Sequence, residues 1–121
     1  MATVKTFKEI SVWRKAHELV LVIYNITKDF PIEEKYVLVP QLRRAIVSVA
    51  SNIVEGFHRK YSKESLKFYN YSEASLEEVK YQLLIAKDLQ YIDEKKYYHT
   101  IESANEVGKM LNGWVRVQKL N

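Results

Sequence analysis

Apolar positions recur along this chain at alternating three- and four-residue steps, the period of a helix that lays one stripe against a bundle core. From Ser11 to Phe30 the stripe runs Val12, Ala16, Leu19, Ile23, Ile26 and Phe30. Trp13, Val20, Tyr24 and Thr27 flank it. So wide an arc either covers half the circumference of a bundle helix or seats Trp13 and Tyr24 on another subunit. Ser11 is placed to cap this helix, and Pro31 to end it. A second helix is predicted over about 40–55, opened by Pro40 and closed by Gly56 as a left-handed cap, with Leu42, Ile46, Val49 and Ile53 on its apolar face. Ala45 and Ala50 leave room there for a close neighbour.

A third helix is predicted over about 62–90, with Ser62 as its cap and Leu66, Tyr69, Leu76, Leu83 and Ala86 as core positions, flanked by Val79 and Tyr81. Ser72 and Ser75 in mid-helix suggest a tight helix crossing. Asp93 caps a fourth helix, about 93–120, whose stripe is Tyr97, Ile101, Ala104, Leu111 and Val115. Four helices joined by short connections predict an all-α, antiparallel up-down four-helix bundle, a single domain over 1–121.

The second helix also carries a polar stripe: Gln41, Arg44, Ser48, Asn52 and Glu55. Amides, hydroxyls and one residue of each charge suit fixed hydrogen bonds better than a solvated face does. The stripe is either a polar network in a bundle or subunit seam, or a groove that contacts a ligand. Glu78 on the third helix either turns toward Arg44 or stays solvated.

Composition narrows the class. With 121 residues, 47% hydrophobic and 28% charged, the chain can bury one core. Only three glycines and two prolines occur, which favours long helices. There is no cysteine, so disulfides, thiolate metal sites and cysteine nucleophiles are excluded. The longest apolar run, Leu19 to Ile23, is far short of a membrane span, and the first ten residues do not read as a signal peptide. A soluble, cytoplasmic protein is expected.

Catalytic chemistry finds little support. No glycine-rich phosphate loop or nucleophile elbow occurs around His17, His58 or His99. A carboxylate-metal bundle would need Glu-x-x-His on inward faces, whereas His99 and Glu102 stand in the reverse order. No enzyme activity, metal or cofactor is expected. Charge points elsewhere. The net charge is +4, and Arg59, Lys60, Lys63 and Lys67 cluster around the second connector with only Glu64 opposing. Lys5, Lys8, Arg14 and Lys15 form a second group. Tyr61, Tyr69 and Tyr71 stand near the first as candidate stacking platforms. These lysines are either a phosphate-binding surface or an ordinary solvated face, and no module for reading DNA sequence is present.

One resemblance covers nearly the whole chain. Val12-Trp13-Arg14-Lys15-Ala16, Phe30-Pro31, Gln41-Leu42-Arg43-Arg44-Ala45, Ser48 through Gly56, Ser75-Leu76-Glu77-Glu78 and Leu89-Gln90-Tyr91-Ile92 together resemble the four-helix bundle family of 23S rRNA intervening-sequence proteins. That family is similar to the accessory proteins of diversity-generating retroelements. The stretch from Gln41 to Gly56 is the specific part. The resemblance implies ring-like homo-oligomers, commonly pentamers, and a nucleic-acid role with no established catalysis. Ala74 and Gln90 stand where the family often has glycine. Two functional expectations follow: an oligomer that binds RNA or structured nucleic acid, or an oligomeric scaffold for a protein such as a mobile-element reverse transcriptase.

Overall fold

A computed structural model describes residues 4–120; residues 1–3 and 121 of the expected domain lie outside the described residues. Four helices follow one another: α1 (Ser11–Thr27), α2 (Leu38–His58), α3 (Ser62–Asp88) and α4 (Glu94–Leu120). No strand occurs among the described residues. Each helix packs on its neighbours in sequence, and α4 returns to α1, so the bundle closes. The most extensive packing is between α2 and α3. All the apolar positions predicted for α1 and α2 are buried in one core that all four helices share.

The helix ends depart from the expected ones for physical reasons. α1 is α-helical only to Thr27, whose hydroxyl donates to the Ile23 carbonyl at 2.7 Å. The chain then tightens, with Lys28, Asp29 and Phe30 N–H groups each bonding three residues back. α2 starts at Leu38, two residues before Pro40. Proline is harmless there because N–H groups of a first turn have no partner inside the helix. Ser11 and Ser62 are first helical residues rather than caps; Ile10 and Tyr61 hold the cap positions and offer no side-chain bond. Asp93 does cap α4, its carboxylate accepting the Lys96 N–H at 2.7 Å.

Gly56 is not a left-handed cap. It is buried inside α2, and no glycine among the described residues has a positive φ. Its value is the missing side chain: a Cβ there would overlap the ring of Tyr69 on α3. Further along the same crossing, the Ser72 hydroxyl donates to the Val49 carbonyl at 2.7 Å, and the Ser48 and Ser75 hydroxyls bond at 2.8 Å. Small polar residues let the two backbones approach and are themselves satisfied. The buried stripe of α3 therefore includes Ser65, Ser72 and Gln82 as well as leucines. On α4, Thr100 and Val107 are buried, whereas Tyr97 and Ile101 are only half-buried.

At the far end of the bundle, the α1–α2 connector and the α3–α4 turn are tied together. The Tyr91 hydroxyl donates to Glu34 at 2.7 Å, and its ring lies 5.4 Å from that of Phe30. The hydrogen bond to Glu34, with burial and the charges of Glu34 and Glu33 behind it, pushes the Tyr91 phenol up to about 12. The α3–α4 turn closes α3 with a Schellman motif: Tyr91 N–H bonds the Ala86 carbonyl at 2.8 Å and Gln90 N–H the Lys87 carbonyl at 2.9 Å. Gln90 has φ 63°, the left-handed conformation that glycine adopts freely.

Two stability outcomes follow. Gly56→Ala forces a methyl into a buried aromatic ring and should cost about 1–3 kcal/mol in urea unfolding. Gln90→Gly relieves roughly 1–2 kcal/mol of left-handed strain against an unfolded-chain entropy cost of about 0.5–1 kcal/mol. It should therefore raise the melting temperature; a fall would show that the Gln90 side chain contributes more than its strain.

Candidate nucleic-acid interface

Up-down topology decides where the charges meet. The start of α1, the α2–α3 connector and the end of α4 all lie at one end of the bundle, so Gln118 lines the same cleft as Arg59 and Lys60, and Val117 sits beside Val4 and Ser11. Segments 4–18, 55–67 and 110–120 together hold ten Lys or Arg and four Asp or Glu, a formal +6. The segments at the other end, 24–37 and 84–99, hold five against six, a formal −1. A chain with net charge +4 is thus strongly polarised along its axis. The two basic groups that are far apart in sequence share this end with Arg116 and Lys119 on α4, whereas Lys109 lines a cleft with Glu73 and Glu77 of α3.

Members of that surface differ in their freedom. Lys60, Lys63 and Lys67 are exposed and have no ion-pair partner among the described residues, as are Lys5, Lys8 and Arg14. Lys15 is half-buried and bridges α1 to α4, reaching Glu106 at 3.3 Å and Glu18 at 3.8 Å. It holds two helices together and presents little free charge. Arg59 bonds Glu55 at 3.0 Å, with its guanidinium 4.5 Å from the centre of the Phe68 ring. That leaves most of its donors facing outward in a fixed plane. Tyr61 is 69% exposed and Tyr71 is also open, so both can stack on a base. Tyr69 cannot: it is buried under α2 at Gly56.

The polar stripe of α2 divides in two. Ser48 and Asn52 form a fixed half-buried pair, Asn52 Nδ2 donating to the Ser48 carbonyl at 2.9 Å and to its hydroxyl at 3.0 Å. Gln41, Arg44, Glu55 and Glu78 are exposed in this chain. Arg44 does not pair with Glu55 or Glu78; Glu55 is taken by Arg59, and Glu78 accepts a bond from Gln82 at 3.3 Å. The arginine that turns inward is Arg43. Its Nε donates to the Thr27 hydroxyl at 2.9 Å, Nη2 donates to the Tyr24 carbonyl at 3.2 Å, and the guanidinium lies over the Tyr24 ring. Helical spacing cannot separate Arg43 from Arg44, because which one faces α1 depends on the rotation of α2 set by its packing on α3. Among the described residues, no three His, Asp or Glu side chains converge as metal ligands would.

A solved structure shares this architecture. It is a protein of unknown function from the S23 ribosomal protein family of Bacteroides thetaiotaomicron, 22% identical, and the match covers 86% of this chain and 97% of that one with a TM-score of 0.80. At that identity the likeness shows the fold. No curated protein matches the chain. The family model described as 23S rRNA-intervening sequence protein matches residues 8–113, which span the described bundle from its first turn to the last third of α4. This chain belongs to the 23S rRNA-intervening sequence protein family.

Proposed function

We propose that the chain is a non-catalytic homo-oligomer, a pentamer by the family resemblance, that binds RNA or structured nucleic acid through the basic end of its bundle. The observation that carries this reading is the formal +6 gathered at one end by three separate segments. Exposed lysines there neutralise phosphates and release counterions, a force indifferent to sequence. Tyr61 and Tyr71 add sequence-tolerant stacking. Repetition of the basic end around a ring would multiply weak contacts through avidity. Leu21, Val22 and Tyr24 on the outer face of α1 are exposed apolar side chains that fit a subunit contact.

A second reading has its own support. At the opposite end Ile32 and Tyr36 are 81% and 83% exposed, with Val37 also open. Such a patch fits a scaffold that docks a protein, for which a mobile-element reverse transcriptase is the partner implied by the sequence resemblance.

Oligomerisation is checked by light scattering, where the mass should be several times 14.3 kDa. A clean monomer at roughly tens of micromolar, where an obligate assembly would hold together, would sink it. Nucleic-acid binding is checked by salt titration. Affinity should fall with a log–log slope of about −0.7 per phosphate contact on single strands and about −0.9 on duplex. Replacing Lys60 and Lys63 by Glu should weaken binding across unrelated sequences while the mass and melting temperature stay close to the parent's. Unchanged binding to both structured RNA and duplex DNA would leave these lysines a solvated face.

A further inference from the structure

Within the basic end, where α2 gives way to α3, a cleft of about 200 Å³ opens, lined by Arg59, Lys60, Ser62, Ser65 and Tyr69, with Gln118 from α4. Three independent features face the same small volume. The first is charge. Arg59 is held in place by Glu55 and the Phe68 ring, and Lys60 has no carboxylate partner among the described residues. The second is the start of α3, a helix of 27 residues with Ser62 as its first, whose cap residue Tyr61 gives no side-chain bond. Its first N–H groups lack intrahelical partners, and the positive end of the helix dipole lies with them.

The third feature is a pair of hydroxyl-bearing residues in the cleft lining. Ser65 is 9% exposed and Tyr69 1%, both line the cleft, and no hydrogen bond among the described residues engages the Ser65 hydroxyl. The indole of Trp114 packs edge-on against the Tyr69 ring. Burial raises the Tyr69 phenol above its ordinary pKa, offset in part by that indole, so it stays a neutral donor at physiological pH. The nearby carboxylates do not oppose an anion here. Glu55 is engaged by Arg59, and exposed Glu64 does not line the cleft.

Donor chemistry selects the ligand. At about 200 Å³ the cleft is smaller than the roughly 300–1,000 Å³ of sites for whole small molecules, so its donors converge on one chemical group. A phosphate inside a nucleic-acid strand carries a sugar on both sides, which leaves it two free oxygens and a single charge. A phosphate at a strand end has one sugar, three free oxygens and a charge of about −1.5 to −2, which matches the surrounding donors. We propose that this cleft receives the terminal phosphate monoester of a nucleic-acid strand, so that the protein distinguishes a phosphorylated end from a hydroxyl end. The proposal rests on the nucleic-acid reading above and adds a specificity that the lysine surface alone does not have.

Fluorescence anisotropy should compare one short single-stranded RNA with a 5′-phosphate, with a 3′-phosphate, and with hydroxyls at both ends. One phosphorylated form should bind about tenfold more tightly than the hydroxyl form, the scale of one charge-assisted hydrogen bond. Ser65→Ala with Tyr69→Phe removes two hydroxyls and no apolar surface; it should abolish the difference while leaving affinity for hydroxyl-ended RNA unchanged. If the double variant melts lower than the parent, Ser65→Ala alone carries the same readout. Equal affinity for all three RNAs, or a preference that survives the substitutions, overturns the proposal and leaves the lysine surface standing. Competition by adenosine 5′-monophosphate at the same concentration as phosphorylated RNA overturns the strand-end assignment in favour of a free monoester. Absence of binding by every RNA at low salt overturns the proposal together with the nucleic-acid reading.

Discussion

Where α2 crosses α3, the ring of Tyr69 occupies the space that a side chain at Gly56 would fill. Two serine contacts continue that approach, Ser72 to the Val49 carbonyl and Ser48 to Ser75. Leucines alone would hold the helices further apart, since side-chain size sets interaxial distance. The hydroxyls permit the closer approach without leaving polar groups unpaired in a low-dielectric interior, where an unsatisfied group costs about 1–3 kcal/mol. The crossing also sets the rotation of α2. That rotation turns Arg43 toward Tyr24 and Thr27 on α1 and leaves Arg44 outside. It equally fixes the position of the α2–α3 connector, and with it Arg59, Lys60 and the start of α3.

The two ends of the bundle differ in charge and in what ties them together. At one end, Glu34, Tyr91 and Phe30 lock two connectors together, and the charges nearly cancel. At the other, like charges are crowded together, which costs folding energy through self-repulsion. Local pairs relieve part of it: Arg59 with Glu55, and Lys15 with Glu106 and Glu18. The remaining lysines are left without partners. Unrelieved charge at one pole of a rigid bundle is a potential that an anion can relax, and the polar cleft under Arg59 places donors at a defined point within it.

Much of the fold was legible because a helix repeats faster than its sequence context changes. Every residue of the apolar stripes read for α1 and α2 is buried, joined by Thr27, Leu38 and Gly56, and the four-helix architecture follows from helix lengths and connections. Legibility failed at the buried polar residues outside that serine crossing. Ser65, Gln82 and Thr100 look solvated in sequence but pack inside; the Thr100 hydroxyl, for one, donates to the Lys96 carbonyl, a backbone partner that the sequence does not display. It failed also at Gly56, where punctuation and close approach carry the same letter.

For the candidate site, the local clusters Arg59-Lys60-Lys63-Lys67 and Arg14-Lys15 were visible as residues near one another in the chain. The sequence by itself determined the helices, most of their buried faces and the basic excess, because these depend on spacing within single elements. Tertiary structure decided that the two clusters share one end with Arg116 and Lys119, that Lys15 is spent between helices, and that Ser65 and Tyr69 line a cleft beside Arg59. Those relations join residues on different helices, and they depend on helix direction and rotation, which come from the packing of every helix against the others.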